Sequence, residues 1–364
     1  MLKKYFILAV FFAPLAYSAL PARAAYHFSD FRGRPPIHVF KTDTMPRGLV
    51  PDTVRAVYHL PKSGGQGTIA IVDAYDDPTI ERDLAVFDAT FGLAACTMRN
   101  GCLEKHAMSK SIKSNSGWNL ETALDVEWAH AIAPDAKILL VEATTPSGTN
   151  LLDAVDYAAA RSDVAAVSMS WGGAEFQEQK SLDAHFTSAA GAIFFASSGD
   201  NGWGPSWPAA SANVVAVGGT ALSFKKDGTL ASEKAWQGSG GGVSAYEPEP
   251  PYQTAYAIPK TNGMRAIPDV SYNADPQSGF SVYAKGVWYV LGGTSAGAPQ
   301  WAAIQLLGRS VTNEKLYADK ASDANANFFR DIVSGKNGTC TYYCTARKRY
   351  DYLTGLGSPL TVKF

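Results

Sequence analysis

Between Thr68 and Val217 the chain alternates short, continuous apolar runs with segments of helical period, and this alternation limits the fold more than any other feature. Thr68-Ile69-Ala70-Ile71-Val72 is a β-rich run that ends at Asp73 and follows the turn Gly64-Gly65-Gln66-Gly67. Asp77 is placed to cap a helix with Pro78 at its first position, and Ile80, Leu84, Phe87 and Phe91 mark the buried face. The pattern then predicts a helix over 119–132, a strand over 138–141, a helix over 150–160 and a strand over 165–170. A helix near 182–190 and strands over 192–196 and 214–217 complete it. Strands that are apolar on both faces need cover on both, so the expectation is an α/β fold with a mostly parallel central sheet between helices. In such a sheet, sites form beyond the carboxyl ends of the strands. Between Ser223 and Tyr289 aromatic residues and prolines alternate with turns, which predicts irregular structure and short strands within the same domain.

The ends of the chain bound its location. Met1-Leu2-Lys3-Lys4, an apolar stretch from Tyr5 to Leu20 and Ala22-Arg23-Ala24 read as a signal peptide, residues 1–24. The stretch is short for a membrane span and its bases lie on one side only, so export to the extracellular space or periplasm is expected, with no membrane contact after removal. Residues 25–50 are polar, proline-containing and aperiodic, an N-terminal arm or prosegment remnant, and residues 51–364 form one large domain. A net charge of −1 gives no reason to expect nucleic acid, and a monomer is expected. Arg347-Lys348-Arg349 reads as a solvated turn. The four cysteines of an exported chain predict two disulfides, and they fall as local pairs, Cys96 with Cys102 and Cys340 with Cys344. Metal binding is the weaker reading, because no histidine is close in sequence.

Three stretches carry chemistry. In Gly293-Thr294-Ser295-Ala296-Gly297-Ala298-Pro299 a serine stands among small residues, and an apolar helical run follows. Ser295 is thereby placed at a helix N-terminus, where free N–H groups and the helix dipole favour negative charge. In the helix over 119–132, Glu121 and Asp125 are four apart and share a face. Sharing a proton raises one pKa, which makes the pair a base that works where histidine is already protonated. Ser197-Ser198-Gly199-Asp200 lies at the end of a core strand, where a neutral Asp200 can donate a hydrogen bond to a developing oxyanion. Gly238-Ser239-Gly240-Gly241-Gly242 is glycine-rich but lacks the strand, helix and lysine of a nucleotide cradle, and is expected to be a surface or substrate-edge loop.

Together, in this order, Glu121-Thr122-Ala123-Leu124-Asp125, Ser197-Ser198-Gly199-Asp200 and Gly293 to Pro299 resemble the sedolisin family of serine-carboxyl peptidases, from about Val50 to the C-terminus. The resemblance implies a three-layer subtilisin-like fold and an acid-acting serine-type endopeptidase that cleaves proteins or peptides through an acyl-enzyme. It makes Ser295 the nucleophile, Glu121 the general base and later acid, Asp125 its orienting carboxylate and Asp200 the oxyanion donor. Ser168-Met169-Ser170-Trp171-Gly172-Gly173 resembles the substrate-binding edge, whose glycines let an extended peptide add by backbone hydrogen bonds.

The resemblance also implies one structural calcium ion, held by the side chains of Asp331 and Asp351 and the backbone carbonyls of Ile332, Arg347 and Arg349. Arg347 and Arg349 stand where the family has glycine, adding charge and removing φ freedom. Members usually carry a long prosegment that restrains the active site until acidification. Only residues 25 to about 50 stand in its place here, so either no prosegment is needed or a companion gene supplies it. Two alternatives remain at this level. One is a Ser/His/Asp peptidase with Asp73 as orienter, for which none of the six histidines has the right setting. The other is a secreted pseudo-protease that binds peptides without cutting them.

Overall fold

The structure is a computed structural model that describes residues 26–308, 311–322 and 328–363; the signal peptide expected over 1–24 lies outside them. Strand β1 (His38–Asp43) and helix α1 (Pro51–Tyr58) precede the alternating core. The core runs β2 (Thr68–Ala74), α2 (Ile80–Phe91), β3 (Leu103–Ala107), α3 (Ser116–Ile132), β4 (Lys137–Ala143), α4 (Gly148–Ala160), β5 (Val164–Met169), β6 (Ile193–Ser197) and β7 (Val214–Phe224). There follow β8 (Leu230–Ala235), β9 (Gly242–Pro248), α5 (Pro251–Tyr256), β10 (Met264–Ile267), β11 (Val270–Asn273), β12 (Phe280–Ala284), β13 (Val287–Gly292), α6 (Gly297–Gly308) and α7 (Asn313–Ser322).

The main sheet has the order β11-β7-β6-β5-β2-β4-β3, all parallel, with β8 antiparallel to β7. Helices α2, α3 and α6 pack on one face in a core that includes Leu84, Leu124, Trp128, Trp301 and Ile304. Helix α4 covers the other face with Leu151, Val155 and the aromatic group Phe31, Trp171, Phe176 and Trp207. The three layers expected from the alternation are therefore present, and the carboxyl ends of β2, β5 and β6 deliver Asp73, Ser170 and Asp200 to one side of the sheet.

Several local expectations change. Helix α2 begins at Ile80, with Asp77 accepting from the N–H and hydroxyl of Thr79 ahead of it. Helix α3 starts three residues earlier than its apolar period, because the Asn115 side chain accepts from Gly117 and Trp118 N–H and fixes its first turn. The helix expected near 182–190 is a 3-10 helix over Gln179–Phe186. The glycine loop 238–242 is not on the surface: Ser239 to Gly242 are buried, and Gly240 bonds Gly199 while its carbonyl accepts from Ser198 Oγ.

Residues 26–50, expected as an N-terminal arm or prosegment remnant, are anchored on the body of the protein. Phe31 is fully buried, its ring 4.9 Å from that of Trp207. Strand β1 pairs antiparallel with β13, from His38 opposite Gly292 to Asp43 opposite Trp288. The apolar residues of this segment follow neither a helical nor a strand period that sequence analysis could detect. Both disulfides form, Cys96–Cys102 and Cys340–Cys344. His130 of α3 packs within 4.8 Å of the first pair, a proximity that only the fold creates, but the two sulfurs are bonded to each other.

Candidate active site

Ser295 sits in a 3-10 turn, Thr294–Ala296, that leads straight into α6. Its carbonyl accepts from Ser170 Oγ at 3.2 Å, which ties the serine to the end of β5. Gly293, just before it, has φ of 130°, and a Cβ there would lie 2.6 Å from Asp200 Oδ2. Only glycine permits that backbone and that approach together.

Helix α3 is buried on almost every side, so the acidic pair faces the protein interior rather than solvent. Glu121, Asp125 and Ser295 are all 0 % exposed. Glu121 adjoins both Ser295 and Asp125, and Asp125 adjoins Ser170. None of the four carboxylate oxygens, nor Ser295 Oγ, has a hydrogen-bond partner of good geometry. Buried polar atoms left in this state call for an explanation, and a cluster waiting for a reacting ligand supplies one.

The electrostatics single out Asp73, which sequence analysis placed only in the histidine alternative. Its side chain, at the end of β2, is fully buried, and burial pushes its pKa up to about 7. Burial, and then the charge of Asp73, hold Glu121 and Asp125 well above the usual carboxylate range. Three carboxyls in one dry space cannot all ionise. The signal was available: an acid that ends an apolar strand points into the crevice by the same logic that picked out Asp200.

Asp200 lies opposite. Its Oδ1 accepts from the N–H and the hydroxyl of Thr294, each at 2.8 Å, and Thr294 Oγ1 in turn accepts from Gly199 N–H at 3.0 Å. Burial raises its pKa, and bonds from His38 and Thr294 restrain the rise. His38 Nε2 stands 3.1 Å from Asp200 Oδ2. No local pattern marked His38, because its partner lies in a distant strand-end loop.

The Gly172 edge is occupied from within. Arg34 N–H donates to Gly172 carbonyl at 3.0 Å, and Gly172 N–H donates to Arg34 carbonyl at 3.2 Å, an antiparallel bridge. Two residues on, the Pro36 carbonyl oxygen would lie 2.0 Å from a Cβ placed on Gly293, so it faces the stretch that carries the serine. A cavity of about 650 Å³ lies beside Asp200, between Gly172–Ala174 and Ser198–Ser206, and residues of the 26–38 segment cover it.

The C-terminal loop brings the expected calcium residues together. Arg349 N–H donates to Asp331 Oδ2 at 2.9 Å and Arg347 N–H to Asp351 Oδ2 at 3.1 Å. Asp331 Oδ1 is buried without a hydrogen bond, and Lys320 Nζ faces it at 3.9 Å. Arg349 adopts φ of 72°, the left-handed conformation that glycine would take without strain. Its guanidinium lies over Tyr256 and that of Arg347 over Tyr342, at 5.4 Å and 4.2 Å. The orphaned Asp331 Oδ1 is an oxygen a hard cation could take, with Lys320 as a competing charge, while both Asp351 oxygens already accept from Arg347, Leu353 and Thr354 N–H and the Thr354 hydroxyl.

A doubly covered parallel sheet, with a buried serine before a helix and buried carboxyls beside it, is the architecture of the subtilisin-like class of folds. The subtilase family model matches residues 112–326, more than half of the chain. Kumamolisin from Bacillus sp. (strain MN-32) is 32% identical over 87% of this chain and 63% of its own length. Sedolisin from Pseudomonas sp. (strain 101) is 29% identical over 76% of this chain and 53% of its own. A solved structure of Pseudomonas sedolisin, a serine-carboxyl proteinase complexed with pseudo-iodotyrostatin, aligns with TM-score 0.74 and 26% identity, covering 88% of this chain and 97% of that one. The chain belongs to the sedolisin family, within the subtilisin-like fold. It spans between half and two thirds of the length of these two curated relatives.

Proposed function

We propose that the protein is a serine-type endopeptidase acting on proteins or peptides in acid, outside the cell or in the periplasm. The observation that carries this reading is the cluster of Glu121, Asp125 and Asp73 buried beside Ser295. Because the carboxyls share protons they titrate in steps, and the form that holds one proton fewer than full protonation is the base that takes the Ser295 proton. Ser295 Oγ attacks the scissile carbonyl while its proton passes to Glu121. Glu121 then protonates the leaving amine, and the acyl-enzyme remains. Water enters, gives a proton to Glu121 and adds to the acyl carbonyl, and Glu121 returns that proton to Ser295 Oγ as the acid product leaves. Asp200, with its pKa raised by burial, is neutral in acid and donates to the oxyanion that forms in each half. Asp125 orients Glu121 and shares its proton.

Residues 25–50 act, in this reading, as a short prosegment. Arg34 holds the edge that an extended substrate needs, and Ser295 has no solvent contact while Pro36 and His38 lie over the site. The carboxylates of Asp331 and Asp351 and the carbonyls of Ile332, Arg347 and Arg349 would hold one calcium ion, which supplies structural cross-linking of this loop and no chemistry. The test is incubation with a denatured protein at about pH 4. Wild type cleaves it; Ser295→Ala and Glu121→Gln do not. Activity of Glu121→Gln equal to wild type would sink the carboxyl mechanism.

A further inference from the structure

Beyond Glu121, Asp125 and Asp73 the buried acids continue into the sheet. In the parallel pairing of β2 with β4, Asp73 stands directly opposite Glu142. Opposed residues of adjacent strands project from the same face, about 5 Å apart. That face lies under α3: Ile71 and Leu140, two residues earlier on each strand, pack in the core that holds Leu124 and Trp128. Glu142 is buried, and its carboxyl is held at one oxygen only. Its Oε1 accepts from Asp77 N–H at 2.8 Å and from Lys105 Nζ at 3.1 Å. Lys105 is fixed in turn by Asp76 Oδ1 at 2.5 Å and the Asp77 carbonyl at 2.7 Å, and Lys105 and Asp76, both partly exposed, bring the row to solvent.

The two donors at Oε1 decide where a proton on Glu142 resides. Oε1 accepts from both, so the acid hydrogen belongs on Oε2, which is buried and has no hydrogen-bond partner. Both oxygens of Asp73 are buried in the same condition. Burial pushes the Glu142 pKa up to about 7, against Asp77 N–H and Lys105, which favour the carboxylate. Burial does the same to Asp73, with Thr122 restraining the rise and the charges of Glu142 and Asp77 adding to it. The remaining charges around the row are Glu121 and Asp125 on α3, beyond Asp73, and Asp76 beside Glu142, with Asp83 and Lys285 bearing on Asp77. In acid, Glu142 is therefore a neutral O–H donor in register with Asp73.

A protonated carboxyl donates one hydrogen bond, so a file of such acids has a direction. With Oε1 of Glu142 fixed by Lys105 and Asp77, the direction here runs from the surface towards α3. Each donor polarises the next, so a hydrogen bond two groups away still favours a negative charge at the end of the file. We propose that Glu142 is a positioning residue for the catalytic base. Its Oε2 hydrogen is donated to Asp73, and Asp73 donates its own to the Glu121 and Asp125 pair, which stabilises the charge that Glu121 needs to take the Ser295 proton. This rests on the peptidase reading for the role of the pair, while the hydrogen-bond file exists whether or not the protein turns over a substrate.

Glutamine at this position keeps both features of the neutral acid, an oxygen for Asp77 and Lys105 and a donor for Asp73, whereas methionine has the same length and offers neither. The carboxyl carbons of the full-length Ser295→Ala protein are titrated by 13C NMR from about pH 2 to about pH 9, and kcat/KM of the chain that keeps its serine is measured on a denatured protein over the same range. Glu142→Met is expected to raise the midpoint of the Glu121 and Asp125 step, and with it the acid limb of kcat/KM, by roughly half a unit, because the charged pair loses a donor. Glu142→Gln leaves both in place, which a purely electrostatic or packing role for the carboxyl would not predict. If Glu142→Met fails to fold, the Asp73 carboxyl, assigned through Asp73→Asn, decides: in Glu142→Gln it should titrate at lower pH, since a neighbouring charge that raises it is gone. Equal shifts in the Met and Gln variants, no shift in either, or an Asp73 curve indifferent to Glu142→Gln would each overturn the proposal. The expected carboxyl shifts in a protein that cleaves nothing would leave it standing and overturn the peptidase reading instead.

Discussion

His38 Nε2 lies 3.1 Å from Asp200 Oδ2, so a half-exposed histidine of the N-terminal segment touches the carboxyl expected to stabilise the oxyanion. Asp200 raises the His38 pKa above its ordinary value, while burial raises that of Asp200. The ion pair therefore exists between the two pKa values and is lost as falling pH protonates Asp200. On the proposed mechanism, loss of charge at Asp200 should both loosen the segment and ready the oxyanion donor.

Replacing His38 with alanine removes a partner that holds the Asp200 pKa down, so Asp200 should protonate at higher pH. The pH at which cleavage begins is expected to move up by roughly one unit. Progress curves started by pH jump from neutral measure it, and an unchanged onset would exclude the clamp.

Stability should fall as pH rises. Burial pushes Asp73, Glu142 and Glu247 up to about 7 from ordinary values near 4. A carboxyl that binds its proton more tightly when folded favours the fold in acid, and that contribution declines from about pH 4 through about pH 7. Thermal melts should give a Tm roughly 5 °C higher at about pH 4 than at about pH 8, and Glu247→Gln should flatten the slope. A Tm that climbs with pH would contradict the burial argument.

Arg265 and Asp269 are both 0 % exposed and meet at 2.7 Å and 3.0 Å, with Tyr317 OH also donating to Asp269. Asp269→Ala strands a buried guanidinium and is expected to cost about 3–5 kcal/mol in urea unfolding. Replacing both residues with apolar ones should cost much less. Equal losses in the single and double variants would show that the pair is not coupled.

Adding a chelator should lower the Tm if the Asp331 and Asp351 loop holds calcium. At a concentration about a hundred-fold above its Kd, an ion bound only to the folded state contributes about 2.7 kcal/mol. Lys320→Gln, which removes the charge 3.9 Å from Asp331 Oδ1, should strengthen the chelator effect. A Tm indifferent to chelator in both proteins would mean that the loop closes without a cation.

Much of this architecture is legible in the sequence because it is periodic. The strands β2, β4, β5 and β6 announce themselves as apolar runs, and the 3.6-residue spacing of α3 places Glu121 and Asp125 on one face. What the period does not carry is contact between distant stretches. The all-round burial of α3 depends on α2, α6 and β12 closing over it. His38 reaches Asp200, and Phe31 reaches Trp207, across most of the fold. The burial of the glycine loop 238–242 follows from its fit beneath Gly199, which no composition reveals.

Gly172 offers one N–H and one carbonyl along its free edge, and Arg34 takes both. Two strands cannot share them, so each molecule is either wholly available to a substrate or wholly closed to it. On the proposed mechanism acid then changes how many molecules are open, besides protonating Asp200 in each of them. The apparent affinity for any substrate is its intrinsic affinity multiplied by the open fraction, and that fraction will be written into every KM measured on this protein.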